Sequence, residues 1–167
     1  MKKHSVILGV FSLLIAGCAT TPPYPAVESG APACVLRLEN QMSTFEMLAQ
    51  FEIPTPAWVA VKVDGFLPAT TDHLVRGSYL PKGTIELRLP AGDHELVNEA
   101  ELIGRGIYYF KPVAFRFGTV TGKTYTIRFK GAGSAMKPGY TIEYEGWSDE
   151  EKAQWPHEHY IANPLVR

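Results

Sequence analysis

Ile85-Glu86-Leu87-Arg88-Leu89-Pro90-Ala91-Gly92-Asp93-His94-Glu95-Leu96-Val97 is the stretch that decides the fold class. Ile85, Leu87 and Leu89 alternate with Glu86 and Arg88, the period of a strand with one face on a core. Pro90-Ala91-Gly92-Asp93 supplies turn chemistry, with a proline that presets φ and a glycine that tolerates unusual backbone angles. A second run returns through His94 to Val97, and the two runs together predict a β-hairpin.

The same period recurs on both sides. Cys34, Leu36 and Leu38 alternate with Val35, Arg37 and Glu39. Val59, Val61 and Val63 alternate with Ala60 and Lys62, and Asp64-Gly65 follows as a turn. Val113, Phe115 and Phe117 lead to Thr121-Gly122-Lys123, after which Tyr125, Ile127 and Phe129 run back. Tyr140, Ile142 and Tyr144 form another alternating run. Short strands at regular spacing, separated by Gly and Pro, predict an all-β antiparallel β-sandwich over residues 34–146. Met42 to Phe51 fits either a short helix or an irregular strand. Ser148 and Glu151 have the spacing of a capping box, with Asp149 and Glu150 at the positive end of the helix dipole. Pro156 limits that helix to about two turns, so residues 147–167 are a short helix and a C-terminal tail, with Trp147 and Trp155 flanking the helix and covering an end of the sandwich.

The chain has 167 residues, 16 basic and 17 acidic, one domain's worth of sequence. Residues 1–17 hold Lys2 and Lys3 and no acid, so their removal leaves 14 basic against 17 acidic residues. That balance has no clustered basic face for nucleic acid and no polybasic membrane patch. Attachment is expected instead from the N-terminus. Lys2-Lys3 precede an apolar run from Val6 to Ile15, too short to span a bilayer as a helix. Leu14-Ile15-Ala16-Gly17-Cys18 resembles a bacterial lipobox. The resemblance implies a signal peptide over residues 1–17, cleavage before Cys18, and acylation of that cysteine; multiple acyl chains hold a membrane far more firmly than one. By the sorting rule of enterobacterial lipoproteins, Ala19 implies the outer membrane, with the domain facing the periplasm. Residues 18–33 then form the lipidated cysteine and a Pro-rich tether, expected to be an extended spacer. Cys34, left alone, is expected as a buried small hydrophobe, with an intermolecular bridge or reactive thiol as the alternatives.

Lys62-Val63-Asp64-Gly65, Gly77-Ser78-Tyr79-Leu80, Leu89-Pro90-Ala91-Gly92-Asp93-His94-Glu95-Leu96 and Thr121-Gly122-Lys123-Thr124-Tyr125, in that order, resemble the bacterial lipoprotein domains of PEGA type. These are small transthyretin-like (prealbumin-like) sandwiches, and the likeness covers roughly Trp58 to Lys130. It implies a cell-envelope accessory or interaction domain, commonly without catalysis, and its motifs are turn chemistry that carry no active site.

Among the chemically active residues, His157-Glu158-His159 on a strand would place both imidazoles on one face, a weak candidate pair for Zn²⁺ or Cu²⁺. Solvated tail histidines are the plainer account, so no metal or other cofactor is expected. His94 is expected to play a structural part at its turn. Gly131-Ala132-Gly133-Ser134-Ala135 lacks both the nucleophile-elbow register and the dinucleotide pattern, and is expected to be a loop between strands. Glu143 with Glu145, and Glu99 with Glu101, suit the outer face of strands. No catalytic residue is assigned, and the chain is not expected to be an enzyme. Tyr108-Tyr109-Phe110, between Gly106 and Pro112, is the candidate contact surface: consecutive strand residues face opposite sides, so three aromatics share one core only if the strand bulges or is buried on both faces. The functional expectation is a membrane-anchored accessory or interaction domain with an envelope protein partner. A small-ligand or glycan-binding module using the aromatics, or a metal-dependent enzyme using His157 and His159, are the alternatives.

Overall fold

The computed structural model describes residues 21–42, 57–75, 77–103, 107–109, 111–134 and 137–160. Cys18, the signal segment, Phe110 and all but the first residue of Met42–Phe51 lie outside these. The elements in chain order are β1 (Ala33–Asn40), β2 (Ala57–Val63), β3 (Gly83–Pro90), β4 (Gly92–Ile103), β5 (Ile107–Tyr109), β6 (Val113–Thr119), β7 (Thr124–Ser134), β8 (Lys137–Glu145), α1 (Asp149–Lys152) and β9 (Glu158–Tyr160). They form an all-β sandwich with one short helix. One sheet has the order β3-β1-β7-β8-β9; in the other, β4 pairs with β2 along one edge and with both β5 and β6 along the opposite edge.

Alternation explains the core directly. Leu36, Leu38, Leu87, Leu89, Ile127, Phe129 and Ile142 face inward from the first sheet, and Val59, Val61, Val63, Leu96, Phe115 and Phe117 from the second. Cys34 joins them, 1% exposed, as a free thiol in the apolar layer. The outward positions are charged. Arg128 reaches Glu39 at 2.6 Å, Glu143 at 3.3 Å and Glu145 at 3.7 Å, while Lys130 holds Glu143 at 2.7 Å. The first of the two glutamate pairs is therefore part of a solvated cross-strand ladder.

The pairing differs from expectation in three places. β3 does not pair with β4: it pairs with β1, while β4 lies in the opposite sheet. The same holds for β6, which pairs with β4, and β7, which pairs with β1 and β8. Both expected hairpins are corners at which the chain changes sheets. Alternation fixes which face of a strand is buried, and a corner satisfies it as well as a hairpin does, because Leu89 and Leu96 reach one core from opposite sides. Closure of the first sheet then brings β1 beside β7 in parallel, from Val35↔Thr124 to Asn40↔Phe129, the one parallel pair among the described ladders. Finally, Gly131 to Ser134 are the last residues of β7 and pair with β8 as far as Ser134↔Lys137, rather than forming a loop.

The sandwich is closed at one end by rings. Trp147 is buried, donates its Nε1–H to the Gly118 carbonyl at 2.8 Å, and lies 4.5 Å from the Tyr125 ring and 5.1 Å from Trp155. Gly146 makes this approach possible: its φ is +100°, and a Cβ there would stand 2.7 Å from the Thr124 carbonyl oxygen. The capping box of α1 is complete, with Ser148 Oγ accepting from the Glu151 amide and the Glu151 side chain accepting from the Ser148 amide.

Candidate functional site: a buried hub and an open edge

The most organised polar group in the described residues grows out of the Asp64-Gly65 turn. Both residues have positive φ, +52° and +81°, and Val63 and Phe66 exchange backbone hydrogen bonds of 2.9 Å, the features of a tight type I′ turn. This conformation points the Asp64 carboxylate back at β4. Its Oδ1 accepts the Glu95 amide at 2.8 Å. Its Oδ2 lies 2.7 Å from His94 Nδ1 and accepts the Tyr24 hydroxyl at 3.1 Å. Burial alone pushes this carboxyl up, but the His94 ring, the Glu95 amide and the Tyr24 hydroxyl together outweigh it and hold Asp64 below the usual carboxylate range. On Tyr24 the burial and the neighbouring carboxylate act in the same sense, and its pKa is pushed up to about 12.

His94 is 6% exposed and has a partner at each nitrogen. Nε2 lies 2.9 Å from the Pro90 carbonyl, which can only accept, so that nitrogen carries a proton and donates. The corner between β3 and β4 leaves carbonyls off the ladder, and His94 satisfies one of them; the Thr119 hydroxyl stands 3.2 Å from the Pro90 oxygen and 3.3 Å from that of Gly92. The ring also lies 5.6 Å from Phe117. This is the structural role at the turn that the sequence suggests for His94. A cleft of about 470 Å³ opens beside it, edged by Asp64, Asp93, Glu95 and Arg116. Phe117 and Gly118 complete its lining. What the arrangement does chemically is to bind backbone and a third segment of chain.

That third segment lies within residues 18–33, the stretch expected as an extended spacer. Pro22 to Tyr24 are docked: the Leu67 amide donates to the Pro22 carbonyl at 2.9 Å, and the Tyr24 amide donates to Leu67 at 2.7 Å. Pro23 pairs with Leu67 in parallel, and the Tyr24 ring meets Phe66 edge-on at 5.7 Å. One aromatic ring and two backbone hydrogen bonds suffice to hold a segment whose prolines cost little conformational entropy. The sequence signal for this docking is slight: Tyr24 is the one aromatic residue between Cys18 and Cys34.

The candidate contact residues lie elsewhere. Tyr108 and Tyr109 are in β5, opposite Leu102 and Glu101 of β4. The pairing resumes in β6 at Val113↔Asn98, shifted by one residue in register from that of β5. Among the described residues no strand pairs with the outer side of β5 or β6.

His157 and His159 each make separate contacts. His157 precedes β9, donates Nε2–H to the Lys152 carbonyl at 2.9 Å and meets the Tyr144 ring at 5.5 Å. His159 lies 5.5 Å from the Tyr140 ring, and burial lowers its pKa. No three His, Cys, Asp or Glu side chains gather in a metal-binding arrangement among the described residues.

No protein-family model, curated protein or solved structure matches this chain. The reading of its function therefore rests on the residues themselves. No helix among the described residues is long and apolar enough to cross a membrane.

Proposed function

We propose that this chain is a lipid-anchored cell-envelope lipoprotein, held by acylated Cys18 in the outer membrane and facing the periplasm. Its sandwich is a non-catalytic interaction module of PEGA-like type, and β5 with the adjoining edge of β6 is the surface that meets an envelope protein. The observation that carries this reading is the broken edge of the second sheet. An unpaired strand edge offers a row of backbone donors and acceptors for strand addition. The register shift between β5 and β6 sets the short segment that carries Tyr108 and Tyr109 apart from the rest of that edge. Tyrosines suit such a contact, because the ring buries area while the hydroxyl still bonds. The hub supports the same reading from the other side: its histidine and aspartate are engaged in holding turn, corner and tether.

Two experiments test the proposal. Cys18→Ser should abolish fatty-acid labelling and leave an uncleaved precursor; continued labelling of that variant overturns the anchor. Capture from detergent-solubilised envelope should return a stoichiometric protein partner, weakened by Tyr108→Ala or Tyr109→Ala by about 1–2 kcal/mol or more with folding intact. Unchanged capture by both variants overturns the assignment of the surface.

A further inference from the structure

We propose that Pro22–Tyr24 is a strap that fixes which end of the sandwich lies on the membrane, placing the Asp64 end against the lipid and the β5 end away from it. This inference rests on the reading of Cys18 as the lipidated residue. With residues 18–33 free, the domain would tumble on a leash of fifteen residues, in no set orientation. The docked segment shortens that leash to the three residues between Cys18 and Pro22, four steps along the chain that at full extension span at most about 14 Å.

The direction of approach is also set. β2 runs toward the Asp64-Gly65 turn, the chain reverses there, and Phe66 leads away from it. Because Pro23 pairs with Leu67 in parallel, Pro22 lies on the turn side of Tyr24. The chain therefore enters from the end of the sandwich that carries the turn. Three contacts of different kinds hold it: the two backbone bonds to Leu67, the Tyr24 ring on Phe66, and the Tyr24 hydroxyl on Asp64.

The two ends are well separated. β4 passes from Glu95, bonded to Asp64, to Leu102, paired with Tyr108. Those seven residue-to-residue steps of extended strand cover about 24 Å. The strap thus presents the broken edge outward, where a periplasmic partner can reach it, and keeps the hub near the headgroups.

The test uses the full-length lipoprotein in vesicles whose lipids carry a headgroup nitroxide. A fluorophore is attached through Val120→Cys, at the strap end, or through Thr84→Cys, at the far end. Val120 is 57% exposed, and Thr84, in the first residues of β3, is also exposed. Quenching should be several-fold stronger at position 120 than at 84. Tyr24→Ala should reduce the contrast, and so should a flexible six-residue Gly/Ser insertion between Thr20 and Thr21, which leaves every described contact in place. Equal quenching at the two positions in a protein that carries fatty acid overturns the strap. An absence of fatty acid on the protein overturns the anchor reading instead, so the two failures are distinguishable. A contrast that survives both variants also overturns the strap as its cause.

Discussion

Asp64 Oδ2 and His94 Nδ1, thirty residues apart in the chain, sit 2.7 Å from one another and join a turn of one strand pair to the corner between the two sheets. The Asp64 side chain is 29% exposed and that of His94 only 5%. Removing the charge leaves the buried His94 ring facing a neutral amide in place of a carboxylate. Asp64→Asn should therefore cost about 1–3 kcal/mol in stability, measured by urea unfolding of the soluble domain.

The same carboxylate gives an acid dependence of known sign. Its folded pKa is lowered, so between the folded and unfolded values the unfolded chain binds the extra proton. Its contribution is complete above the unfolded carboxyl value of about 3.9 and is lost as pH falls through the folded one. Stability of the native domain should fall below about pH 4 more steeply than that of Asp64→Asn. Identical slopes in the two proteins would show that Asp64 is not a coupled group.

Tyr24 behaves in the opposite sense at high pH. Its pKa of about 12 favours the neutral phenol in the folded state. Between the ordinary tyrosine value of about 10 and that figure, the unfolded or undocked segment loses its proton first, so docking weakens as pH rises. Release of the strap, read as the loss of protection of the Leu67 amide relative to its intrinsic exchange rate at each pH, should increase over this range. Tyr24→Phe, which keeps the ring on Phe66 but cannot ionise, should not show the increase.

A buried polar pair in the centre of the core makes a further prediction. Asn98, fully buried, donates from Nδ2 to the Tyr140 hydroxyl at 2.8 Å, and its Oδ1 has no hydrogen-bond partner among the described residues. Tyr140→Phe strands the amide and should cost about 1–3 kcal/mol. The double variant Asn98→Leu with Tyr140→Phe should cost less than the sum of the two single changes, a coupling that a double-mutant cycle reads directly.

Leu87→Ala should cost roughly 2–5 kcal/mol through lost transfer energy and the cavity left behind. Its side chain belongs to the core, as the alternation in Ile85 to Leu89 predicts.

How much of this was legible in the sequence follows from what alternation encodes. The inward residues of β1, β2, β3, β6, β7 and β8 could be read off because period two sorts the faces of a strand whatever its neighbours are. The partners of β3 and β6 could not be read, because Pro90-Ala91-Gly92 and Thr121-Gly122-Lys123 serve a sheet-changing corner as well as a hairpin. Ser148 and Glu151 were legible because a capping box is local. The hub was not, since Tyr24, Asp64 and His94 come from three separate segments, and only the packing of the corner against the turn brings them together. Asp64 and His94 were each visible as turn residues, but their contact was not.

The central claim is that the edge at β5 is the surface through which a membrane-held module meets its partner. Photo-crosslinking in intact envelopes tests it most directly, with a benzophenone side chain placed at position 108, at 109 or, as the control, at Thr84. The account predicts a discrete adduct of defined mass from position 108 or 109 and none from position 84. Adducts from position 84 alone, or from no position in a correctly folded and lipidated protein, would contradict it.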